Sequence, residues 1–284
     1  MGHHYVPREH LRRFAIQNKS KFVWMYDKHT RKYREAAIRT VAQENGYYDL
    51  ETESALAEVV EGPGKKVIDK LLKRDAIDNA ERTSLSLYFM IMLSRGPRQR
   101  KKSFELVPGI REKVIKETED LIRQWITDEP GNRMAHHRLQ ELELARKKFS
   151  DEIPQNVMDI IRRPHWSEQT VECIYNMCWH IMPAPLGKYF VTGDTPAHSF
   201  ESLGLRNLSS EYTISLSKDL ALIGDYKRKT GIIYERLDAQ VAKEVNRRIL
   251  SHTERFVFSP RNEKWIDMVA QKNEPYLSHI SRYK

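Results

Sequence analysis

Two segments far apart in the sequence carry side chains that can transfer protons or bind metal ions. His4 and Tyr5 lie in His3-His4-Tyr5-Val6-Pro7, and Asp194 lies in the turn Gly193-Asp194-Thr195-Pro196, directly after an apolar run. Imidazole is a general base near neutral pH, and a phenol donates hydrogen bonds. A carboxylate in a loop at the end of a strand can bind a metal, act as a base, or form an Asx turn before the proline.

We therefore predict His4 and Asp194 as catalytic residues and Tyr5 as a binding residue. His4 and Asp194 are also the candidate ligands for a divalent metal, Mg²⁺ or Mn²⁺. Two alternatives stay open on the sequence alone. Asp194 can simply form the turn, and the opening segment can simply anchor the terminus against a sheet. His3 is not grouped with His4, because adjacent residues of an extended segment point to opposite faces.

A basic cluster follows the most apolar helical stretch of the sequence. It consists of Arg95, Arg98, Arg100, Lys101 and Lys102. Compensation of a helix C-terminal dipole accounts for one or two such charges, and a solvated face or an ion pair is the alternative for the rest. The planar guanidinium group suits phosphate and carboxylate, so we predict Arg95 and Arg98 as phosphate-binding residues.

The composition favours a polyanionic partner and excludes several enzyme classes. The 284 residues include 48 Lys and Arg against 39 Asp and Glu, a net charge of +9. Such a charge favours nucleic acid or another phosphate-bearing ligand. The sequence holds no zinc-type Cys/His spacing, phosphate-binding glycine loop, dinucleotide fingerprint or Gly-x-Ser-x-Gly elbow. These absences argue against nucleotide-dependent ATPases, dehydrogenases and α/β hydrolases.

Cysteine content and hydropathy predict the compartment. Cys173 and Cys178 are the two cysteines, and within one helix they cannot form a disulfide. The longest apolar run, residues 85–93, is about half the length of a membrane span, and no apolar signal segment follows the N-terminus. We expect a cytoplasmic protein with no membrane partner, and the sequence predicts no oligomeric state.

The elements that position these residues follow the order β, α, β. Residues 21–33 alternate around a turn at 27–30, which predicts a hairpin, and residues 38–50 continue as strand or irregular structure. From about Glu51 the apolar residues recur at helical spacing, with breaks at 62–64, 96–97 and 129–131. Helices are predicted at 7–16, from Asn79 as N-cap, over 112–149, over 168–182, and from Asp238 as N-cap to Leu250. Short strands are predicted at 189–192, 212–216, 221–224, 232–234 and 256–258.

The simplest fold for this order is a single α+β domain over residues 1–284. Short strands from the N- and C-terminal parts would form one sheet around a helical middle section at about 51–182.

Five motifs, in order, resemble the domain-of-unknown-function family 4238. They are His3-His4-Tyr5-Val6-Pro7 with Leu11-Arg12-Arg13-Phe14; Val23-Trp24-Met25-Tyr26-Asp27-Lys28; Arg95-Gly96-Pro97-Arg98; Val191-Thr192-Gly193-Asp194-Thr195-Pro196; and Asn246 with Arg255-Phe256-Val257-Phe258. The sequence departs from the pattern where Gly193 replaces the usual Ser and Thr195 the usual Asn. The resemblance implies a bacterial protein in a mobile or defensive context and adds Asn246 as a binding residue, but it implies no mechanism.

Three functional hypotheses remain at this point. The favoured one is a nuclease-like phosphodiester hydrolase, with His4 as base or ligand, Asp194 as metal- or water-positioning carboxylate, and Arg95 as phosphate clamp. The second is a non-catalytic nucleic-acid-binding or defence-sensor module. In the third, the three side chains are structural: Asp194 caps a turn, Arg95 pairs with a carboxylate, and His4 docks the terminus.

Overall fold

The structure is a computed structural model that describes residues 2–45, 47, 50–162, 167–200, 202–236 and 238–271. Its contacts divide the chain into two compact units: Met1–Arg98 with Pro164–Lys284, and Gln99–Arg163. The expectation of a single domain over residues 1–284 stays a prediction beside this division. Within the described residues, no helix is both long and apolar enough to cross a lipid bilayer.

The first unit combines helices with three β-sheets, so the predicted α+β class is confirmed. The strands are β1 (Gly2–His4), β2 (Phe22–Asp27), β3 (Lys32–Ala37), β4 (Gln43–Asn45), β5 (Cys178–Pro183), β6 (Thr192–Gly193), β7 (Ala197–Ser199), β8 (Tyr212–Ser217), β9 (Leu220–Asp225), β10 (Gly231–Tyr234) and β11 (Phe256–Ser259). The sheet orders are β1-β4, β3-β2-β11-β6 and β10-β5-β9-β8-β7. The predicted single sheet is wrong, because the strands of the described residues divide among three sheets. Early and late strands meet in the four-stranded sheet, where β11 pairs antiparallel with β2 and β6, whereas the late strands β5 and β7 to β10 pair with one another.

The helices lie mostly in the middle of the sequence, as the periodicity predicts. They are α1 (Arg8–Arg12), α2 (Leu50–Ala55), α3 (Gly62–Lys73), α4 (Asn79–Ser94), α5 (Pro97–Asp128), α6 (Arg133–Arg162), α7 (Glu168–Asn176), α8 (Ala239–His252) and α9 (Lys264–Ala270). A π-helical turn, Leu56–Glu61, joins α2 to α3. Helices α5 and α6 form the second unit, in which Arg146 bonds to Glu112 and Glu119.

Helix α8 contributes residues to two hydrophobic clusters in the core of the first unit. One cluster around it, with Phe14, Val241 and Val245, includes residues of β5 and β9. A second cluster, with Ile249 and Val257, includes residues of the four-stranded sheet and α9. The predicted apolar face of this helix is thus confirmed, and so is its N-cap, because the Asp238 carboxylate accepts the Val241 N–H at 2.8 Å.

Several predicted boundaries are wrong for physical reasons. The helix at 168–182 ends at Asn176, and Cys178–Pro183 is a buried strand between β9 and β10, which local periodicity does not distinguish from a buried helix. Both cysteines are free, as predicted. The first helix is shorter than 7–16, and Asp78 rather than Asn79 caps α4 through a capping box with Glu81.

The predicted break at Gly62-Pro63-Gly64 lies inside helical structure. Pro63 stands just after the π-helical turn, at the start of α3, so it marks the change from π-helical to α-helical structure and does not end the helix. A Cβ on Gly64 would lie 2.7 Å from the Tyr88 ring, so the second glycine permits close packing of α3 on α4.

Candidate functional site

Two of the predicted site residues, Asp194 and Arg98, lie at the junction between α8 and β11. Lys28, which follows β2, donates from Nζ to the carbonyl oxygens of Leu250 at 3.1 Å and Thr253 at 2.7 Å. The ammonium group therefore satisfies carbonyls at the C-terminal end of α8 and interacts favourably with its dipole. We use the name junction cluster for the polar side chains at this place: Lys28, Arg98, Asp194, His198 and His252.

Asp194 is fully buried immediately after β6. Its carboxylate accepts the main-chain N–H groups of Glu254 at 2.8 Å, Arg255 at 2.7 Å and Phe256 at 2.8 Å. Burial raises the pKa of Asp194 to about 6, and the three amide donors and Lys28 limit that rise. The carboxylate therefore already has three main-chain hydrogen-bond partners. These bonds hold in place the segment that leads from α8 into β11.

Arg95 connects the N-terminal strand to the turn that holds Asp194. Its guanidinium group pairs with the Glu61 carboxylate and donates to the His4 carbonyl oxygen. The next residue, Gly96, lies so close that a Cβ there would stand 2.8 Å from the Asp194 carbonyl oxygen. The segments of His4, Arg95 and Asp194 therefore converge, as the nuclease hypothesis requires, but the charged groups of Arg95 and Asp194 have internal partners.

The His4 ring is held in a different electrostatic environment from Asp194. Its Nε2 has no hydrogen-bond partner among the described residues. Burial first, and then Arg8, lower the pKa of His4, so the imidazole is neutral at pH 7. Tyr5, in contrast, lies near Asp194: burial, and then this carboxylate, raise the pKa of the Tyr5 phenol. The negative charge of Asp194 therefore acts on the Tyr5 phenol.

A pair of histidines, which the sequence analysis did not select, completes the junction cluster. His198 in β7 is fully buried, and its ring centroid lies 4.9 Å from that of His252, in the last turn of α8. Nδ1 of His198 has no hydrogen-bond partner within the described part of the chain. Burial first, and then the positive charges of His252, Arg248, Arg98 and Arg247, hold the pKa of His198 well below its usual range.

Two consecutive arginines of α8 stand next to the histidine pair. Arg248 is fully buried, donates to Glu211 at 2.7 Å and to Thr213 Oγ1 at 2.8 Å, and lies 5.0 Å from the Phe200 ring centroid. Arg247 pairs with Glu244 at 2.7 Å. These carboxylates balance the two guanidinium charges, so the surroundings of the histidine pair are buried and polar.

Asn246, the remaining predicted binding residue, lies on another face of α8. Its Oδ1 accepts the Val191 N–H at 3.0 Å, and its Nδ2 donates to the Tyr189 carbonyl at 2.9 Å. Residues 189–191 therefore pair with a helical side chain rather than with a strand. The predicted strand at 189–192 is correspondingly wrong, and β6 is confined to Thr192–Gly193.

No ready-made metal site is found in the described ranges, where no group of three or more His, Cys, Asp or Glu side chains is arranged to hold an ion. The predicted ligands Asp194 and His4 are not part of such a group. The roles of His4, Tyr5, Arg95, Arg98, Asp194 and Asn246 in chemistry or binding stay predictions. Spacing provides no signal for His198 and His252, because they are isolated histidines 54 positions apart.

The fold and the site define an α+β protein with a buried polar cluster at one helix–strand junction. The family described as "Protein of unknown function (DUF4238)" matches residues 2–263, and the chain belongs to this family. Neither the curated proteins nor the solved structures contain a significant match to the chain.

Proposed function

We propose that the protein is a nuclease-like phosphodiester hydrolase whose reacting groups are His198, His252 and Arg98 of the junction cluster. The observation that carries the proposal is the contact between the His198 and His252 rings, 4.9 Å between centroids, beside Arg98. Hydrolysis of a phosphodiester needs one group that removes a proton from water and one that protonates the leaving oxygen. Two adjacent imidazoles suit this division, and a guanidinium group suits the developing phosphate charge.

Asp194 and Arg95 are positioning residues in this proposal. Asp194 fixes the start of β11, and Arg95 ties the N-terminal strand to α4, so both keep the junction in shape without touching the substrate. This differs from the arrangement expected from sequence, in which His4 and Asp194 were the reacting groups. The net charge of +9 supports a polyanionic substrate. We also propose that the protein acts in bacterial defence, the context that the family resemblance implies.

The test is cleavage of labelled single- and double-stranded DNA and RNA by the full chain, with Mg²⁺, with Mn²⁺ and with EDTA. We expect His252→Gln to lower the cleavage rate by on the order of 10²–10⁴-fold, since it removes a proton-transfer group. Arg98→Gln should weaken substrate binding. His29→Gln is the matched control, because it is the same substitution at a histidine whose side chain is exposed.

Thermal unfolding of each variant separates lost chemistry from lost structure. The proposal holds if His252→Gln is inactive while its melting temperature stays near that of the wild type. It is overturned if the wild-type chain cleaves none of these substrates, or if His252→Gln cleaves as fast as His29→Gln.

A non-catalytic nucleic-acid-binding or defence-sensor module is the second candidate. The observations that favour it are the burial of His198 and His252, which are 2% and 8% exposed, and the net charge of +9. Such a module would bind nucleic acid with an affinity that falls steeply with salt and would leave it intact with every metal. Binding without cleavage would therefore select this function over the hydrolase.

A further inference from the structure

A cavity of about 410 Å³ opens beside α8, on a different part of the helix from the junction cluster. Four residues of α8 line it at helical spacing: Ala239, Ala242, Lys243 and Asn246. The segment before β6 and helix α9 form the other walls. The volume falls within the range of about 300–1,000 Å³ that is typical of small-molecule sites. No residue of the junction cluster contributes to its lining.

Two aromatic rings form one wall of this cavity. The centroids of Tyr189 and Trp265 are 5.8 Å apart, and their planes are inclined by 53°. The indole Nε1 donates to the Glu263 carboxylate at 2.8 Å and lies 3.2 Å from the Tyr189 hydroxyl oxygen. Arg261 lies 5.3 Å from the centroid of the Tyr189 ring. The rings are therefore held in fixed orientations, as a stacking platform for a planar ligand requires.

The floor and the rim of the cavity differ in chemistry. Gly187, Ala239 and Ala242 have small side chains or none, which leaves room next to the rings. Asn246 is held rigidly at the floor by its two main-chain bonds. Lys188 and Lys243 are exposed lining residues, and both carry ammonium groups that suit a phosphate. The lining also contains Glu263, which supplies one negative charge. With the two lysines, the lining therefore has a net positive charge.

We propose that this cavity binds a nucleotide, with the base against Trp265 and Tyr189 and the phosphate at Lys188 and Lys243. An aromatic wall together with a cationic rim favours binding of a nucleotide over a purely apolar ligand and over an inorganic anion. The same chemistry is offered by a free mononucleotide and by the phosphorylated end of a nucleic-acid strand. The inference stands independently of phosphodiester hydrolysis, because the two sites share no residue.

The test is isothermal titration calorimetry of the full chain with the four ribonucleoside monophosphates, with adenosine, and with inorganic phosphate. We expect at least one monophosphate to bind more tightly than both adenosine and inorganic phosphate, since only the nucleotide uses the rings and the lysines together. A 5′-phosphorylated oligonucleotide that binds at least tenfold tighter than every monophosphate identifies a strand end as the ligand; the reverse order identifies a free nucleotide.

The double variant Lys188→Gln/Lys243→Gln removes the rim charges without touching the buried wall. We expect it to weaken nucleotide binding by tenfold or more and to leave adenosine binding unchanged. Lys264→Gln is the matched control, because Lys264 is an exposed lysine of α9 that does not line the cavity. The inference is overturned if no nucleotide binds, or if the double variant binds nucleotides as tightly as Lys264→Gln does.

Discussion

Buried polar side chains of the first unit bond to main-chain groups at places where regular structure ends. Asp194 accepts three N–H groups after α8, Lys28 donates to two carbonyls at the end of that helix, and Asn246 bonds to the backbone on both sides of Phe190. Arg82 in the same way donates to the carbonyls of Tyr175 and Met177, between α7 and β5. Because a buried backbone group without a partner is costly, these side chains stabilise the transitions between elements.

A pH dependence of stability is expected from His10, a fully buried residue of α1 that contacts Thr192 of β6. Its Nε2 stands 3.0 Å from Thr192 Oγ1, and burial, followed by Arg13, lowers its pKa to about 3. The unfolded chain binds a proton near pH 6.5, so the unfolded state binds more protons between pH 6.5 and 3. Stability should therefore fall as the pH falls through this window, by up to about 1.4 kcal/mol per pH unit from this residue.

Urea unfolding of the wild type and of His10→Gln between pH 7 and 5 measures this contribution. Asp194, with its raised pKa, acts in the opposite direction below pH 6, so only the difference between the two proteins isolates His10. We expect a shallower loss of stability in the variant. An NMR titration of the wild-type His10 ring keeps the prediction testable if the variant does not fold, and an apparent pKa near 6.5 would contradict it.

At the scale of elements, strand and helix boundaries depend on partners that lie far away in the sequence. Cys178–Pro183 is a strand because β9 and β10 flank it, although its apolar run also fits a helix. Residues 189–191 belong to no strand, because the Asn246 side chain bonds to Tyr189 and Val191 and the Phe190 N–H donates to the Lys218 carbonyl. Helix α5 begins well before the predicted start at residue 112. Periodicity does not predict its first turns, because they contain basic residues and no apolar pattern.

The contact between β6 and the end of α8 explains the departure from the family pattern at Gly193. A Cβ on Gly193 would overlap Thr253 Oγ1 and lie 2.9 Å from Thr253 Cβ. We expect Gly193→Ala to lower the free energy of unfolding by about 1–3 kcal/mol, as overpacking of a dense interior does. Gly109→Ala is the matched control, because Gly109 is a helical glycine with open space around it, and it should be neutral or slightly stabilising.

A double-mutant cycle with Thr253→Ala makes the prediction specific. This substitution removes Oγ1 and Cγ2, so the double variant should lose less stability than the sum of the two single changes. Additive losses in urea unfolding would show that the close approach of Gly193 to Thr253 is not what excludes a side chain there.

At the scale of the whole molecule, the two compact units differ in how much apolar surface they bury. In the second unit, large apolar side chains are exposed on both helices: Leu106, Ile110, Val114, Leu121, Trp125, Met134 and Leu144. In the first unit, every residue of β8 and β9 is buried. A segment that makes few buried apolar contacts is expected to have a low free energy of local opening.

Hydrogen exchange followed by mass spectrometry tests this difference. We expect amides of residues 113–128 and 133–148 to exchange through partial opening, with a lower opening free energy than the amides of β8 and β9. Helix α4 is the matched control, since it is helical but largely buried. Equal opening free energies in all of these segments would contradict the prediction and would instead support one cooperative domain over residues 1–284.

The sequence alone determined the features that depend on neighbouring residues. The hairpin of β2 and β3, the helical middle section, the Asp238 cap and the apolar face of α8 follow from turn residues, capping side chains and periodicity. Its motifs also indicated the family and brought attention to Asp194, Arg95 and Asn246. These signals are local, or they need only the order of short motifs along the chain.

Only the tertiary structure decided which side chains meet. It placed the carboxylate of Asp194 on amides 60 to 62 residues further along the chain, and His10 against Thr192, 182 residues away. It also brought His198 to His252 and lined the cavity beside α8. Such contacts are fixed by how sheets and helices pack, and local periodicity carries no information about them. For that reason the sequence predicted the segments that converge, while the structure determined which of their atoms already have partners.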